Sequence, residues 1–418
     1  MENIKKYNRK SEKHWNVVAV CCGLAGATIG ISVNTSGVFY TPVSENLGIL
    51  RGVFSMHMTF FTLVLAIGSL FVPRIMKIIP YKGILITSVS VAAAATAMMG
   101  MTRNVTMFYM LGSVRGLFTA MFSVVPISII INRWFIRKNG LAMSIVFSFS
   151  GIVGVFISPF LALIIEKYGW EIGYLVKAGI LFTLAFPAMI YKFKVSPLEE
   201  GLKPYGENIQ EEGTVEIDKY LKTEETRPHG GLTFISMLMF SIFICFLTGV
   251  PQHFPGYSAS LGYKESLGAI LLSAGMTGNI ISKLAVGIMS DRIGAVKATS
   301  VLLISNLTGI IILIVLTSFP YLVIGAFLFG SCYGISAVSL SLLTRYFFGM
   351  ERYIRLFPVI TFVSNVGSAA ALSIVGFIYD FSGSYMPGFI LSLGIIGISM
   401  TFLGISVLEK KKAEINDV

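Results

Sequence analysis

Long apolar runs separated by short polar links dominate the chain. Twelve runs occur, at 15–40, 52–75, 83–102, 106–132, 140–165, 170–192, 232–252, 265–289, 297–318, 321–345, 356–379 and 386–408. A helix needs about 20 apolar residues to cross the hydrocarbon core of a bilayer, so each run predicts a transmembrane helix. Most links are brief, such as Thr102–Arg103–Asn104 and Ser318–Phe319–Pro320. One is long and polar: residues 193–231 carry Ser196, Pro197, Glu199, Glu200, Lys203 and Pro204, then further charges up to Arg227, Pro228 and His229. It divides the runs six and six. The pattern predicts an all-α membrane protein of twelve transmembrane helices in two pseudo-symmetric six-helix bundles. Their expected bounds are 1–192 and 232–418, with 193–231 as a cytoplasmic linker. The first run follows a basic stretch (Lys5, Lys6, Arg9, Lys10, Lys13), as a signal peptide would. It is longer than 20 residues and lacks a clear small-residue cleavage site, so it reads as a retained helix.

Composition supports the pattern. Of 418 residues, 55% are hydrophobic and 13% charged, against about 25% charged in soluble domains. A soluble enzyme and a disordered chain are both excluded. The net charge of +11 would suggest nucleic acid in a soluble protein, but here location explains it. With the N-terminus inside, the inner segments hold 25 Lys and Arg and the outer links four, Arg51, Arg103, Lys167 and Lys264. Inner loops of membrane proteins are enriched in this way. The expectation is an integral protein of the plasma (cytoplasmic) membrane, with both termini cytoplasmic, lipid around it and no nucleic-acid partner. Cys21, Cys22, Cys245 and Cys332 lie in apolar runs without the spacing of a zinc site or a disulfide framework. No Gly-x-x-x-x-Gly-Lys-Ser/Thr loop occurs. No metal, no cofactor and no enzymatic activity are therefore expected.

The halves echo each other weakly. Asn132–Arg133–Trp134–Phe135 after the fourth run matches Thr344–Arg345–Tyr346–Phe347 after the tenth, 212 residues on. Gly287–Ile288–Met289–Ser290–Asp291–Arg292–Ile293–Gly294 after the eighth matches a degenerate Pro73–Pro80 segment 214 residues earlier. A parallel repeat of two six-helix halves is the layout of a rocking transporter, whose site is expected between the halves.

With Gly287-x-x-x-Asp291-Arg292-x-Gly294 in view, the chain resembles the major facilitator superfamily over essentially its whole length. Three further features are similar to the oxalate/formate antiporter family and the related monocarboxylate transporters. They are Arg133–Trp134–Phe135 with Gly140–Leu141–Ala142, the stretch Ser196–Gly206, and Tyr379–Asp380-x-Ser382–Gly383–Ser384–Tyr385. Physically, Gly287 permits close helix approach and Gly294 a tight turn. Asp291 and Arg292 can pair with each other, with Asp380 or with a helix end, giving a latch that holds one state; the plain alternative is a polar turn.

An ionisable side chain deep in a span is costly and marks function by default. Three of the 32 Lys and Arg qualify: Arg115, Lys177 and Lys283. Lys283 stands four residues after Asn279, on one helix face. The resemblance implies an Arg at this position holding the substrate carboxylate. Lys supplies the charge without the bidentate fork; snorkelling to the inner surface is the alternative. Arg115 lies nine residues into the fourth run, about 13 Å from the outer end at 1.5 Å per residue, and is expected to face a cavity or a structural partner. Lys177 is expected to reach the outer interface. No Asp or Glu lies deep in any run; Asn279 stands where the resemblance implies an Asp in animal monocarboxylate carriers. His253, beside Pro251 and Pro255, is a candidate proton site, since an imidazole titrates near neutral pH. Tyr333 and Phe122 are candidate pocket aromatics; a Phe in so Phe-rich a chain is more often packing. The Gly-rich stretches around Gly151 and Gly367 read as interfaces or hinges.

The expected function is secondary transport of a small organic anion by alternating access. A monocarboxylate of the lactate, pyruvate or formate kind is expected, moved by proton symport or anion exchange, and the carrier is expected to be a monomer. Arg115 would accept a second carboxylate if the substrate has one. Two rivals stand: oxalate/formate-type dicarboxylate exchange, for which no Lys occurs between Arg355 and Asp380, and a non-transporting anion sensor, for which no appended signalling domain is expected.

Overall fold

The computed structural model describes residues 2–207, 231–263 and 265–416. Among them, ten helices are long and apolar enough to span a membrane. They are α1 (Lys13–Phe39), α2 (Val53–Ile78), α3 (Tyr81–Met99), α4 (Val105–Trp134), the run Asn139–Ile190, α7 (Gly231–Ser258), α8 (Ile270–Ile293), α9 (Ala295–Val315), the run Phe319–Ala371 and α12 (Met386–Lys412). The two longest runs are each broken by a glycine. Gly169 (φ 87°) divides the first into α5 (139–168) and α6 (170–190). Gly349 (φ 68°) divides the other into α10 (319–348) and α11 (350–382). Positive φ is strained for a residue with a Cβ, so glycine here turns the chain without a polar loop. Large apolar side chains such as Phe71, Phe156, Leu163 and Val315 are exposed on these helices, as surfaces facing lipid must be.

The chain divides into two compact units, Met1–Ile209 and Gln210–Val418. The stretch 193–207, expected to be part of a polar linker, packs on the first unit as a strap. Tyr205 N–H donates to the Trp134 carbonyl at 2.8 Å, and Ile136 N–H to the Tyr205 carbonyl at 3.1 Å. Trp134 Nε1 donates to the Lys194 carbonyl at 3.0 Å, and His14 Nε2 to that of Lys203 at 3.0 Å. Lys13 pairs with Glu200. The His14 ring meets Trp134, Phe135 and Tyr205 edge-on. The remainder of the expected linker, 208–230, lies outside the described residues.

Within each unit two helices cross almost backbone to backbone. A Cβ added at Gly112 on α4 would lie 2.6 Å from the His57 carbonyl oxygen of α2. A Cβ at Gly330 on α10 would run into the Gly275 carbonyl of α8 and lie 3.0 Å from Asn279 N. Gly116 and Gly334, one turn on, meet Phe61 and Ser282. Small residues are what let membrane helices approach this closely. The two glycine pairs are related by an offset of 218 residues.

Four spans depart from α geometry, at matching places in the two units. α1 is π-helical over Gly26–Asn34 and α10 over Ile335–Ser339. α7 is a 3-10 helix over Leu247–His253. α4 is interrupted at Met121–Ser123, where Ser123 is extended (φ −94°, ψ −151°). π segments and broken spans free backbone polar groups and concentrate at functional sites.

Candidate functional site

In the second unit the α8–α10 crossing brings Asn279, Ser282 and Lys283 against Cys332, Tyr333 and Gly334. Lys283 is 5% exposed. Among the described residues its ammonium has neither a hydrogen bond nor an ion pair. One turn earlier, Asn279 is also buried. Its Oδ1 has no hydrogen-bond partner among the described residues, and its Nδ2 reaches only the Met276 sulfur at 4.0 Å. Ser282 fixes the helix between them, donating to the Asn279 carbonyl at 3.0 Å. A buried polar group without a partner costs about 1–3 kcal/mol, and a charged one more. The Lys283 ammonium and the Asn279 Nδ2–H₂ group are therefore donors on one face that an anion's oxygens can meet, while the open Oδ1 is an acceptor and calls for a donor of its own.

The Tyr333 hydroxyl donates to the Thr248 carbonyl of α7 at 2.8 Å and also meets the Gln252 side chain. Thr248 in turn bonds the Cys245 carbonyl at 2.6 Å. Tyr333 is thus tied to the 3-10 segment of α7, and its partly exposed ring stands beside Cys332. His253 ends that segment, half-buried, its ring 5.9 Å from that of Tyr385. Phe122 is fully buried at the interruption of α4.

Arg115 belongs to the first unit, and its surroundings are those of a core residue. It is 1% exposed; Nη1 donates to the Met99 sulfur at 3.2 Å, and the guanidinium lies 5.2 Å over the Phe61 ring. Lys177 corrects the sequence expectation. Instead of reaching the outer interface it is 1% exposed, donates to Ser36 Oγ at 3.2 Å and sits 5.0 Å over the Phe39 ring. The helical face of α6 that carries Tyr174 and Lys177 turns into the bundle, so the side chain never meets the surface. His57, which sequence reasoning passed over, is buried beside both cations; a histidine within an apolar run was the available signal.

In the inter-helix motif, Gly287 is buried, Asp291 and Arg292 are exposed, and Gly294 has φ 86°. The Asp380 side chain lies outside the described residues.

Ten helices of membrane-spanning length, several of them interrupted, in two units that each bury a cation, define a polytopic membrane protein. The Major Facilitator Superfamily model matches residues 22–371, and the chain belongs to that superfamily. It is an integral membrane protein whose family members bind small solutes. Curated relatives include monocarboxylate transporter 12 of Xenopus laevis, 24% identical over 298 residues, which are 67% of this chain and 63% of that protein. Monocarboxylate transporter 12 of Rattus norvegicus is 24% identical over 308 residues, 68% of this chain and 63% of the relative. The chain thus spans under two thirds of the length of these relatives. Among solved structures, a variant of the E. coli fucose:proton symporter FucP aligns with a TM-score of 0.68 at 12% identity, covering 95% of this chain and 99% of that one. FucP in an outward conformation aligns at 0.66 and 12%, covering 94% and 98%. At such identity these two carry the fold alone.

Proposed function

We propose that the protein carries a small monocarboxylate across the plasma membrane, with both termini in the cytoplasm. The observation that supports this reading is Lys283: a buried cation with no counter-ion among the described residues, one helical turn from the Asn279 Nδ2–H₂ donor, which otherwise reaches only the Met276 sulfur. The ammonium would neutralise the carboxylate and the Asn279 Nδ2–H₂ would donate to its second oxygen. Tyr333 would wall the pocket through its ring, since its hydroxyl is engaged by α7, and Phe122 would pack behind the bend of α4. Arg115, enclosed in its own unit, takes no part in this reading. The relatives named monocarboxylate transporter 12 favour the same substrate class, and the distribution of Lys and Arg favours the orientation.

Two couplings fit. No Asp or Glu side chain is buried among the described residues, which favours exchange of one anion for another. Proton symport would fall to His253, at the end of α7.

The test is uptake of labelled lactate, formate and oxalate into proteoliposomes holding the purified protein. A pH gradient and unlabelled internal anion are imposed separately. Gradient-driven uptake of a monocarboxylate gives a symporter, and uptake only against internal anion an exchanger; both support the reading when Lys283→Ala loses the flux. Flux unchanged in Lys283→Ala, or no flux of any of the three anions, overturns it.

A further inference from the structure

The first unit holds two buried cations, and among the described residues no acid meets them. Arg115 comes from α4 and Lys177 from α6; each is 1% exposed. Both lie on one buried cluster: Arg115 donates to the sulfur of its Met99, and Lys177 stands over the ring of its Phe39. Ion pairs among the described residues include Lys13–Glu200, Arg103–Glu171 and Lys412–Glu409; neither Arg115 nor Lys177 pairs with a described carboxylate.

The remaining neighbours are aromatic, sulfur or hydroxyl. The Lys177 ammonium faces the Phe39 ring, which lies 4.2 Å from the Tyr174 ring. Tyr174 and Tyr40 act electrostatically on Arg115. Phe54, Phe108, Trp170 and Tyr174 continue the wall as part of one buried cluster. Ring faces and a thioether relieve a buried cation only in part.

Both cations keep open donors. Arg115 Nη2 is buried with no hydrogen-bond partner among the described residues. An ammonium has three N–H donors, and Ser36 takes one of those on Lys177. Buried charges are otherwise paired, because an uncompensated one strongly destabilises the fold. Two like charges with unspent donors therefore call for a shared anion. The side chains around them are almost entirely buried, which limits that anion to a small one.

We propose that the first unit binds a small monovalent anion, of halide or formate size, between the Arg115 guanidinium and the Lys177 ammonium. The residues are distinct from Lys283 and Asn279, so the inference stands whether or not those two hold the transported substrate. The anion completes the electrostatics of the bundle interior.

The experiment measures thermal unfolding of the purified protein in detergent at constant ionic strength, with gluconate replaced stepwise by chloride, bromide or formate. Wild type should show a saturable rise in Tm with a small anion, on the order of 5 °C at about a hundredfold excess over Kd, and none with gluconate. Lys177→Met keeps the side-chain length without the charge and should lose the halide response, which Lys283→Met should keep; formate can also stabilise through Lys283, so it counts for this site only where Lys177→Met loses it. Response to halide marks an inorganic ion, and response to formate alone marks a carboxylate; either supports the site when lost in Lys177→Met. No anion-specific rise in wild type overturns it, and so does a response kept in Lys177→Met but lost in Lys283→Met. Should Lys177→Met fail to fold, bromide-soaked crystals of the wild type decide. An anomalous peak within hydrogen-bonding distance of Arg115 and Lys177 supports the site, and its absence overturns it.

Discussion

Gly334→Ala should weaken both the fold and the transport site through one contact. The added methyl would lie 2.8 Å from Ser282 Oγ, 2.9 Å from Ser282 C and 3.0 Å from its Cβ. Comfortable carbon contacts are about 3.5–4.0 Å, so α10 and α8 must separate by about 0.5 Å or more. Overpacking of this kind costs about 1–3 kcal/mol. Removing a glycine from a helix interior returns about 0.5–1 kcal/mol. The net loss is roughly 0.5–2 kcal/mol, which lowers Tm by a few degrees, about 2–6 °C. Ser282 immediately precedes Lys283, so the same separation shifts the ammonium relative to Cys332 and Tyr333. Losing about 1 kcal/mol of a charge-assisted hydrogen bond raises the uptake KM about fivefold. Thermal unfolding in detergent and uptake by proteoliposomes read the two effects. Gly394→Ala on α12, where an added Cβ meets nothing within 4 Å, is the control, with Tm unchanged or slightly raised. A Gly334→Ala protein with wild-type Tm and KM would refute the claim that this crossing positions the site.

Lys283→Met should cut substrate affinity about ten- to hundredfold, the worth of a charged hydrogen bond, while raising Tm in the absence of substrate because an unpaired buried charge is removed. Lys283→Arg should restore part of the uptake; a fall in Tm for Lys283→Met would mean the ammonium has a structural partner instead. Tyr333→Phe frees the Thr248 carbonyl from its 2.8 Å bond and should cost about 1 kcal/mol in thermal unfolding; an unchanged Tm would show that the bond is not formed. Gly206→Ala forces a Cβ onto a residue at φ 99° and against Arg137, so limited proteolysis should cut faster within 193–207, with equal rates counting against the docked strap.

The spans were legible because crossing a bilayer demands a long apolar run, and that demand is written residue by residue. What one helix presents to another is not. Lys177 looked able to reach the surface because its distance from the end of its run is short. Its direction depends on the face of α6, which α1 covers with Ser36 and Phe39. The strap was hidden for a similar reason. Ser196–Gly206 is polar enough to be a linker, yet Tyr205 adds one short bridge beside Phe135, and Trp134 and His14 close on its backbone. The breaks at Gly169 and Gly349 replace links that hydropathy alone draws as loops. Asn279 and Lys283 share a helix face in the sequence already; that Lys283 and the Asn279 Oδ1 lack partners among the described residues required knowing what α10 brings opposite them.

The glycine crossings bear on how the two units came to differ. His57 and Gly112 stand 55 residues apart in the first unit, and so do Gly275 and Gly330 in the second. In the same register, Arg115 corresponds to Tyr333, Phe61 to Asn279 and Leu65 to Lys283. The backbone approach is thus repeated while the charge is not. In the first unit the cation rides on α4, and α2 faces the crossing with apolar Phe61 and Leu65 and the buried imidazole of His57. In the second the cation and the amide ride on α8, and α10 presents a phenol tied to α7. A pair of glycines fixes how near two helices come and is indifferent to what the next residue carries, so the crossing survives while its flanking chemistry is exchanged. Asn279 and Lys283 together can hold a carboxylate with charge and a donor on one face. Arg115 instead lies against the Met99 sulfur and the Phe61 ring. The same glycine crossing therefore carries a buried amide and ammonium, Asn279 and Lys283, on α8 and a buried guanidinium, Arg115, on α4, in spans whose local helix geometry also differs.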